Sequence, residues 1–507
     1  MSFTTLAFAL FLLIVFCVYW LPFAKSYKMQ NAWLLLAGYV FYGWWDWRFI
    51  GLILTTTLIS WGCALPRKNR KTLTGISIAV NLLILCVFKY YNFFGESLQR
   101  LFNTFGGMMD WFTIDILLPV GISFYTFQAI SYSVDTYKGK ISPTRNFITY
   151  AVYIAFFPQL VAGPIEKSTE LLPQFERKRK WNYAEAVLGM RQILWGLFKK
   201  CVIADGVSFW VNQAFDETVD KNIYFLKIVG AVGFALQIYG DFSGYSDIAK
   251  GSARLFGIKL MDNFLYPFFS RNALELWHRW HRSLMQWFTE YVYIPLGGSR
   301  SGNLLINVMI VFVLSGIWHG ANFTFILWGT LCGIWYIIAL KAGAKKYRPR
   351  KNETATRADL HKIAFTFVLF IIVFVSFRAN NLSGAFNYYK ALVFPGLPIF
   401  LIFIGVCWLI KLIKIKFKTL VTGMLITGFV LGCIFPKVII SYLLGFSAFV
   451  YAAVMLCAEW KSRNRSFALE KMPQNRLVRL GIYSLLYIII YCFAIDSRES
   501  SFIYFQF

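Results

Sequence analysis

Histidine is scarce in this sequence and unevenly distributed. The 507 residues contain four histidines, and three of them, His278, His281 and His319, fall in one stretch of the chain. An imidazole can take up and release a proton near neutral pH, act as a nucleophile, or bind a metal ion. These three residues are therefore the first candidates for a reaction centre, whereas His361 lies beside a basic loop and is interpreted as ordinary.

The apolar run 303–340 points to His319 in particular. It contains no Asp, Glu, Lys or Arg, and as one helix it would be ~57 Å long, well beyond a hydrocarbon core of about 30 Å. The run must therefore break, and Gly316 and Gly320 on either side of His319 mark the place. Such a break is tolerated at membrane depth only where it is buried in protein or lines a cavity. An ionisable residue there is a functional hypothesis by default, and the alternative is a packing histidine bonded to a neighbouring carbonyl.

A second candidate element carries the other two histidines. The segment 275–287 predicts a helix on which His278 and His281 stand at i and i+3, with Arg282 adjacent. Two imidazoles at this spacing could bind a metal ion, but no HExxH motif and no third ligand accompany them, so we predict no metal site. A neutral imidazole acting as a general base or proton shuttle needs no cofactor. The alternative is an interfacial helix of aromatic and basic residues that touches lipid headgroups.

The elements that must position these residues are membrane helices. Hydrophobic residues make up 58% of the chain and charged residues 15%, against about 25% charged residues in soluble domains. We therefore expect an all-α, polytopic integral membrane protein with about 11 to 15 membrane helices, some of them re-entrant or interfacial. No polar linker divides the chain, which predicts one domain over 1–507, with a catalytic core at 115–340 and a helical C-terminal extension at 362–507. The predicted spans are 4–24, 32–47, 49–65, 74–95, 115–135, 147–165, 184–205, 222–240, 303–318, 321–340, 362–379, 398–414, 419–436, 438–457 and 479–495.

The net charge of +27 is concentrated in short basic loops between these spans. No recognition helix or aromatic RNA platform accompanies the charge, so we expect no nucleic-acid partner and interpret the loops as cytoplasmic, facing anionic lipid. This interpretation places the N-terminus and the C-terminus outside. Two cytoplasmic loops must be separated by an even number of spans, but three predicted spans separate the first two basic loops, 67–71 and 177–180, which is the wrong parity. One of these spans must therefore be re-entrant, or a helix near 97–114 is missed.

The stretch 241–302 differs from the rest because it carries many charged residues among aromatic ones. It predicts an amphipathic or re-entrant segment at the interface or beside a water-filled cavity. The chain has no phosphate-binding loop, no dinucleotide-binding glycine fingerprint and no GxSxG motif, and its nine cysteines form no CxxC. A transporter would show inverted repeats with charged residues at mid-depth, which we do not find.

Short motifs across the chain resemble the membrane-bound O-acyltransferase superfamily, in particular its bacterial alginate O-acetyltransferase-like branch. They follow the order of that family over nearly the whole sequence, apart from 398–470. The matching stretches are 118–125 (LPVGISFY), 156–165 (FFPQLVAGPI), 239–249 (YGDFSGYSDIA), 263–264 (NF), 276–284 (LWHRWHRSL), 293–298 (YIPLGG), 314–325 (LSGIWHGANFTF) and 502–507 (FIYFQF).

The resemblance implies roles for particular residues. His319 corresponds to the catalytic histidine of the family and His281 to the second histidine of the bacterial branch, whereas His278 receives no catalytic role. We expect His319 at the narrow point of a central tunnel, with His281 orienting a thioester or shuttling a proton, and Asn322 donating to a developing oxyanion. The further candidates for substrate binding or for the tunnel wall are Ser315, Trp318, Trp277, His278 and Arg282.

The resemblance also implies a reaction and its partners. An acetyl group would pass from a cytoplasmic thioester, with acetyl-CoA as co-substrate and no cofactor, towards O-acetylation of an extracytoplasmic polysaccharide by way of an SGNH-like acetyltransferase partner. The location implied is the cytoplasmic membrane of a bacterium. The alternatives are peptidoglycan O-acetylation, D-alanyl transfer to teichoic acid from a carrier-protein thioester, and, from another class, a transporter without chemistry of its own.

Overall fold

The computed structural model describes residues 1–393 and 437–496, apart from 67, 108, 115–117, 162, 217–223, 301 and 344–354. Every regular element within these residues is a helix, which confirms the all-α prediction. The chain divides into two compact units. The first comprises Met1–Ile193, Ser246–Asn263 and His281–Leu304, and the second comprises Leu194–Tyr245, Phe264–Trp280 and Leu305–Phe507. The prediction of one integral domain stays a prediction.

Several helices have the length and apolar composition needed to cross a membrane. Among the described residues six qualify, and three shorter apolar helices accompany them. The polytopic character is therefore confirmed, whereas the number of 11 to 15 spans stays a prediction. The predicted spans 398–414 and 419–436 and the motif 502–507 lie outside the described residues. The six helices are Arg70–Thr104, Tyr224–Leu255, Phe323–Lys341, Arg357–Arg378, Leu444–Lys461 and Arg476–Ala494; the shorter ones are Leu6–Trp20, Phe49–Ala64 and Leu304–His319.

The first unit is built from N-terminal helices that pack through aromatic side chains. Phe157 lies at the centre of one cluster, with its ring centroid 5.2 Å from that of Phe11 and 5.7 Å from those of Phe41 and Phe256. Such contacts add to the burial of large apolar surfaces. The helices of this unit are Leu6–Trp20, the 3-10 turn Phe23–Lys25, Tyr27–Gly43, Phe49–Ala64, Arg70–Thr104, Ile122–Tyr137, Phe147–Ala155, Phe157–Leu160, Ser168–Phe175, most of Tyr183–Leu197, the last part of Tyr224–Leu255, and Arg282–Phe288, followed by the π-helix Thr289–Tyr293.

Two predicted spans of the first unit differ from the observed helices. In the described part of the span 115–135 the helix begins at Ile122, after Gly121, which adopts φ +77° and at which a Cβ would lie 2.5 Å from the carbonyl oxygen of Leu160. The span 147–165 breaks at Phe156, whose backbone is extended, and a single turn follows with Pro158 in its first positions. This interrupted segment falls in the region where the spans had the wrong parity.

The second unit contains the remaining helices. They are the π-helix Phe198–Ala204, Asp205–Phe215, the first part of Tyr224–Leu255, Ala273–Arg279, Leu304–His319, Phe323–Lys341, Leu360–Arg378, Leu382–Val393, Lys437–Lys461 and Arg476–Asp496, with short 3-10 turns at Pro267–Phe269 and Arg357–Asp359.

The prediction that the whole stretch 241–302 is amphipathic or re-entrant is wrong for its first part. Residues 241–255 continue the helix Tyr224–Leu255. The reason is that their charges are paired inside the protein: Lys200 lies 2.7 Å from a carboxylate oxygen of Asp241 and 2.7 Å from one of Asp205. Within the first unit, the side chain of Gln192 donates to Asp247 over 2.8 Å. Paired in this way, the charges do not interrupt the helix.

Candidate active site

His319 is the last residue of the helix Leu304–His319, and its side chain is buried. The next helix begins at Phe323, with the intervening Asn322 as its N-cap. The break predicted from the length of the apolar run is therefore confirmed, and it falls next to the histidine. Because the helix ends here, the imidazole lies at a turn of the backbone rather than in the middle of a continuous span.

Close packing of glycines holds these two helices together. A Cβ at Gly316 would lie 2.3 Å from the carbonyl oxygen of Phe325, and one at Gly329 would lie 2.4 Å from the carbonyl oxygen of Phe312. At Gly320 it would lie 2.2 Å from the ring of Phe325. Small residues at such crossings let helix backbones approach closely inside a membrane. The glycines around His319 therefore serve the packing of the site as well as the break.

Three aromatic rings surround the imidazole of His319. The centroid of Trp318 lies 4.9 Å away, that of Trp328 5.0 Å away at an interplanar angle of 89°, and that of Phe377 5.2 Å away. The edge-on contacts fix the plane of the imidazole, and the large rings fill the space around it. Trp318 was a candidate from the sequence, but Trp328 and Phe377 were missed, because they come from later helices and carry no reactive group.

Two further candidates lie in the same unit as His319. Ser315 is buried four residues earlier on the same helix. The ring of Trp277 lies 5.9 Å from that of Trp328 and 5.4 Å from that of Phe312. Trp277 therefore packs against Trp328, one of the three rings around His319 (the aromatic cage), and through it belongs to the surroundings of His319.

Asn322 makes two specific hydrogen bonds. Its Oδ1 accepts from the backbone N–H of Thr324 over 3.0 Å, and its Nδ2 donates to the backbone oxygen of Asn380 over 2.8 Å. The side chain thus caps the helix Phe323–Lys341 and ties it to the chain after Leu360–Arg378. Because Asn380 engages one of the two amide protons of Asn322, an oxyanion would have to bind the other.

A buried charge cluster holds the helix Ala273–Arg279, which carries Trp277. Glu275 accepts from Arg271 over 3.0 Å and lies 2.7 Å from a guanidinium nitrogen of Arg279. Its backbone N–H donates to the capping side chain of Asn272 over 3.0 Å. A fully buried carboxylate is stable only when paired in this manner. The cluster fixes the direction of the helix and so of Trp277.

His281 and His278 do not share a helix, so the prediction of an i, i+3 pair on one face is wrong. The helix ends at Arg279, and His281 adopts a left-handed backbone with φ 40° and ψ 53° before the helix Arg282–Phe288 begins. Right-handed helical geometry is what an i, i+3 pair requires. As a result the side chain of His281 is buried, whereas His278 is exposed.

Burial also defines the charge state of His281, which lies outside the six candidate spans. It lowers the pKa of His281 to about 3, so the imidazole is neutral at physiological pH. Arg282 is partly buried, and its guanidinium donates to the backbone oxygen of Asp262 over 3.5 Å. His281 and Arg282 belong to the first unit, and His319, Ser315, Trp318, Asn322, Trp277 and His278 to the second.

The described residues offer no group of three or more His, Cys, Asp or Glu side chains that could hold a metal ion. The chemistry that these side chains can perform is that of imidazole itself: proton transfer, hydrogen bonding or nucleophilic attack. His319, buried among rings at a helix end, has a fixed orientation for such a step. The reaction class therefore depends on what the chain is related to.

The comparisons with known proteins agree with the motifs. The profile of the membrane-bound O-acyltransferase family matches residues 141–383. A probable alginate O-acetylase of Pseudomonas putida is 36% identical over 392 residues, which cover 76% of this chain and 78% of that protein. The peptidoglycan O-acetyltransferase of Helicobacter pylori is 33% identical, covering 73% and 75%. The teichoic acid D-alanyltransferase of Bacillus subtilis is 26% identical and covers 41% and 56%.

Proposed function

The chain belongs to the membrane-bound O-acyltransferase family, and we propose that it passes an acetyl group from cytoplasmic acetyl-CoA to the outside for O-acetylation of a polysaccharide. Membership of this family makes the chain an acyltransferase, so the alternative of a transporter without chemistry falls away. The support for acetyl and for a polysaccharide comes from the relatives named for alginate O-acetylation and peptidoglycan O-acetylation.

The observation that carries the proposal is the buried, ring-enclosed imidazole of His319 at the end of Leu304–His319. In the proposed reaction this imidazole takes the proton of the acceptor hydroxyl while the hydroxyl oxygen attacks the thioester carbonyl. The carbon–sulfur bond then breaks, and the departing thiolate takes the proton back from the imidazolium. Transient transfer of the acetyl group to the imidazole is the alternative route, and it has the same overall balance.

His281 is proposed to orient the thioester rather than to shuttle a proton. A histidine whose pKa lies near 3 is a weak base, and near neutral pH it holds a proton on one ring nitrogen and a lone pair on the other. Those two properties suit hydrogen bonding to a substrate. Ser315 is not required as a nucleophile, because His319 supplies both the base and the acyl acceptor of the alternative route.

The transfer is proposed to occur across the cytoplasmic membrane of a bacterium. Donor and acceptor would reach His319 from opposite faces through a tunnel, with both chain termini outside and the basic loops in the cytoplasm. An SGNH-like acetyltransferase partner would then place the acetyl group on the polymer. D-alanyl transfer to teichoic acid is the second candidate, but its named relative matches less than half of this chain.

The test supplies two donors and two polymers to membranes that contain the protein together with its proposed SGNH-like partner, which is needed for label to reach a polymer. Acetyl-labelled acetyl-CoA and a D-alanyl-loaded carrier protein are offered in parallel, each with a polyuronate and with peptidoglycan. We expect base-labile label from acetyl-CoA on one polymer and none from the carrier protein. Label from the carrier protein alone would overturn the proposal in favour of D-alanylation. His361→Ala is the matched control, because this exposed histidine lies outside the site.

A further inference from the structure

The backbone of His281 is strained. Its φ of 40° is one of two positive values among the described residues other than glycine, and the other belongs to Tyr266. A left-handed conformation costs an L-residue free energy and persists only where the surrounding structure enforces it. The residues around His281 must therefore supply the enforcement.

Asn263 supplies it through three hydrogen bonds. Its backbone oxygen accepts from the N–H of Arg282 over 2.9 Å, immediately after the strained residue. Its Oδ1 accepts from the hydroxyl of Ser283 over 2.6 Å. Its Nδ2 donates to the hydroxyl of Ser246, on the helix Tyr224–Leu255, over 3.1 Å. The backbone of Asn263 thus holds Arg282, and its buried side chain holds Ser283 and anchors it to a long helix.

The chemistry of these bonds suits an uncharged side chain that can both donate and accept. The asparagine accepts from Ser283 and donates to Ser246, whereas an aspartate would need the hydroxyl of Ser246 to turn and donate, and would place a carboxylate in a buried site. The four residues involved, Asn263, Ser246, Ser283 and His281, are each less than 5% exposed. Because water cannot replace a lost bond there, removing the amide takes this partner from the hydroxyls of Ser283 and Ser246 and weakens the support of the turn, while the bond from Arg282 to the backbone oxygen remains.

We propose that Asn263 is a positioning residue, which holds the left-handed turn at His281 and so aims its imidazole for acyl transfer. With the turn relaxed to an ordinary conformation, the imidazole leaves its buried place. The inference rests on the proposed function only in that acetyl transfer is one of its readouts. The position of the imidazole is measured independently of activity.

The activity test compares Asn263→Ala with a matched control. Asn31→Ala also removes a buried asparagine that bonds to distant parts of the first unit, namely Thr149 and Phe175. We expect kcat to fall about 10-fold to 100-fold in Asn263→Ala with KM little changed, and Asn31→Ala to keep the kcat of the unaltered protein in its folded fraction. Asn263→Asp should also lower kcat, because it places a carboxylate in a buried site.

A double-mutant cycle separates positioning from general damage. In a His281→Ala background the imidazole is absent, so adding Asn263→Ala should lower kcat by no more than about twofold relative to His281→Ala alone. An equal loss in both backgrounds would show that Asn263 does not act through His281 and would overturn the inference.

Diethyl pyrocarbonate labelling, read by mass spectrometry, gives the readout without catalysis. His281 should be protected in the unaltered protein and in Asn31→Ala, and labelled in Asn263→Ala as readily as the exposed His278 and His361. If His281 stays protected in Asn263→Ala, the inference fails whatever the activity. If the unaltered protein transfers no acetyl while the labelling changes as expected, the proposed function fails and the positioning role stands.

Discussion

The crossing of the two helices at Gly316 allows a quantitative prediction for Gly316→Ala. The added Cβ would lie 2.3 Å from the backbone oxygen of Phe325, whereas ordinary contact begins at 3.4 Å. The oxygen belongs to the first turn of Phe323–Lys341 and cannot rotate away, so the helices must separate by about 1 Å at this point. His319 lies one turn away on the same helix, and its cage residue Trp328 lies on the other.

A displacement of this size is large for a reaction site. A misplacement of about 1 Å lowers the rate on the order of 100-fold, and overpacking costs about 1 to 3 kcal/mol of stability. We therefore expect Gly316→Ala to lose about 100-fold in kcat and a few degrees in the thermal midpoint in detergent. Gly329→Ala should have a similar effect, because its Cβ meets the backbone oxygen of Phe312 at 2.4 Å.

The assay is acetyl transfer in membranes, normalised to folded protein by thermal unfolding of the purified variant. Gly62→Ala is the matched control, because it lies in the helix Phe49–Ala64 with nothing within 4 Å of the added carbon. It should keep both its kcat and its stability. If Gly316→Ala matched Gly62→Ala in kcat and thermal midpoint, the close crossing would not position His319 and the reasoning would be refuted.

Three further predictions concern charge and backbone. Burial lowers the pKa of His281 from 6.5 to about 3, so as the pH falls the unfolded chain takes up a proton at this residue before the folded protein does. The free energy of unfolding should therefore drop by about 2 kcal/mol from pH 6.5 to about pH 5. A pH series in His281→Gln should lack this component. Lys200→Met leaves the buried carboxylates of Asp205 and Asp241 without their shared cation and should cost about 3 to 5 kcal/mol, with partial recovery when Asp241→Asn is added; unchanged thermal midpoints would contradict this pairing. His281→Gly should be more stable than His281→Ala by about 1 kcal/mol in denaturant unfolding, because glycine accepts the left-handed backbone; the opposite order would argue against the strained turn.

The break beside His319 could be predicted from the sequence because its cause is local. An apolar run longer than the membrane is thick must turn, and Gly316 and Gly320 mark where. The same reasoning could not find Trp328 and Phe377. Their role depends on how Phe323–Lys341 and Leu360–Arg378 pack against the end of the preceding helix, and a ring in an apolar run carries no sequence signal of its own.

The errors of prediction came from contacts between residues far apart in the chain. Asp241 was assigned to a polar re-entrant segment because its partner, Lys200, lies 41 positions earlier, and the pair leaves the helix Tyr224–Leu255 intact. His281 was placed on a helix with His278 because the sequence has no glycine to mark the left-handed turn. Bonds from Asn263 impose that turn. The asparagine was visible in a matching motif, but its partners Ser246 and Ser283 were not.

The central claim is that the imidazole of His319 performs acyl transfer, and one measurement tests it most directly. Membranes containing the unaltered protein, His319→Ala or the control His361→Ala receive acetyl-labelled acetyl-CoA, with expression and folding matched. We expect the rate of label transfer to fall by at least about 10³-fold in His319→Ala. His361→Ala should transfer label at the rate of the unaltered protein. Transfer by His319→Ala at the rate of the unaltered protein would contradict the claim.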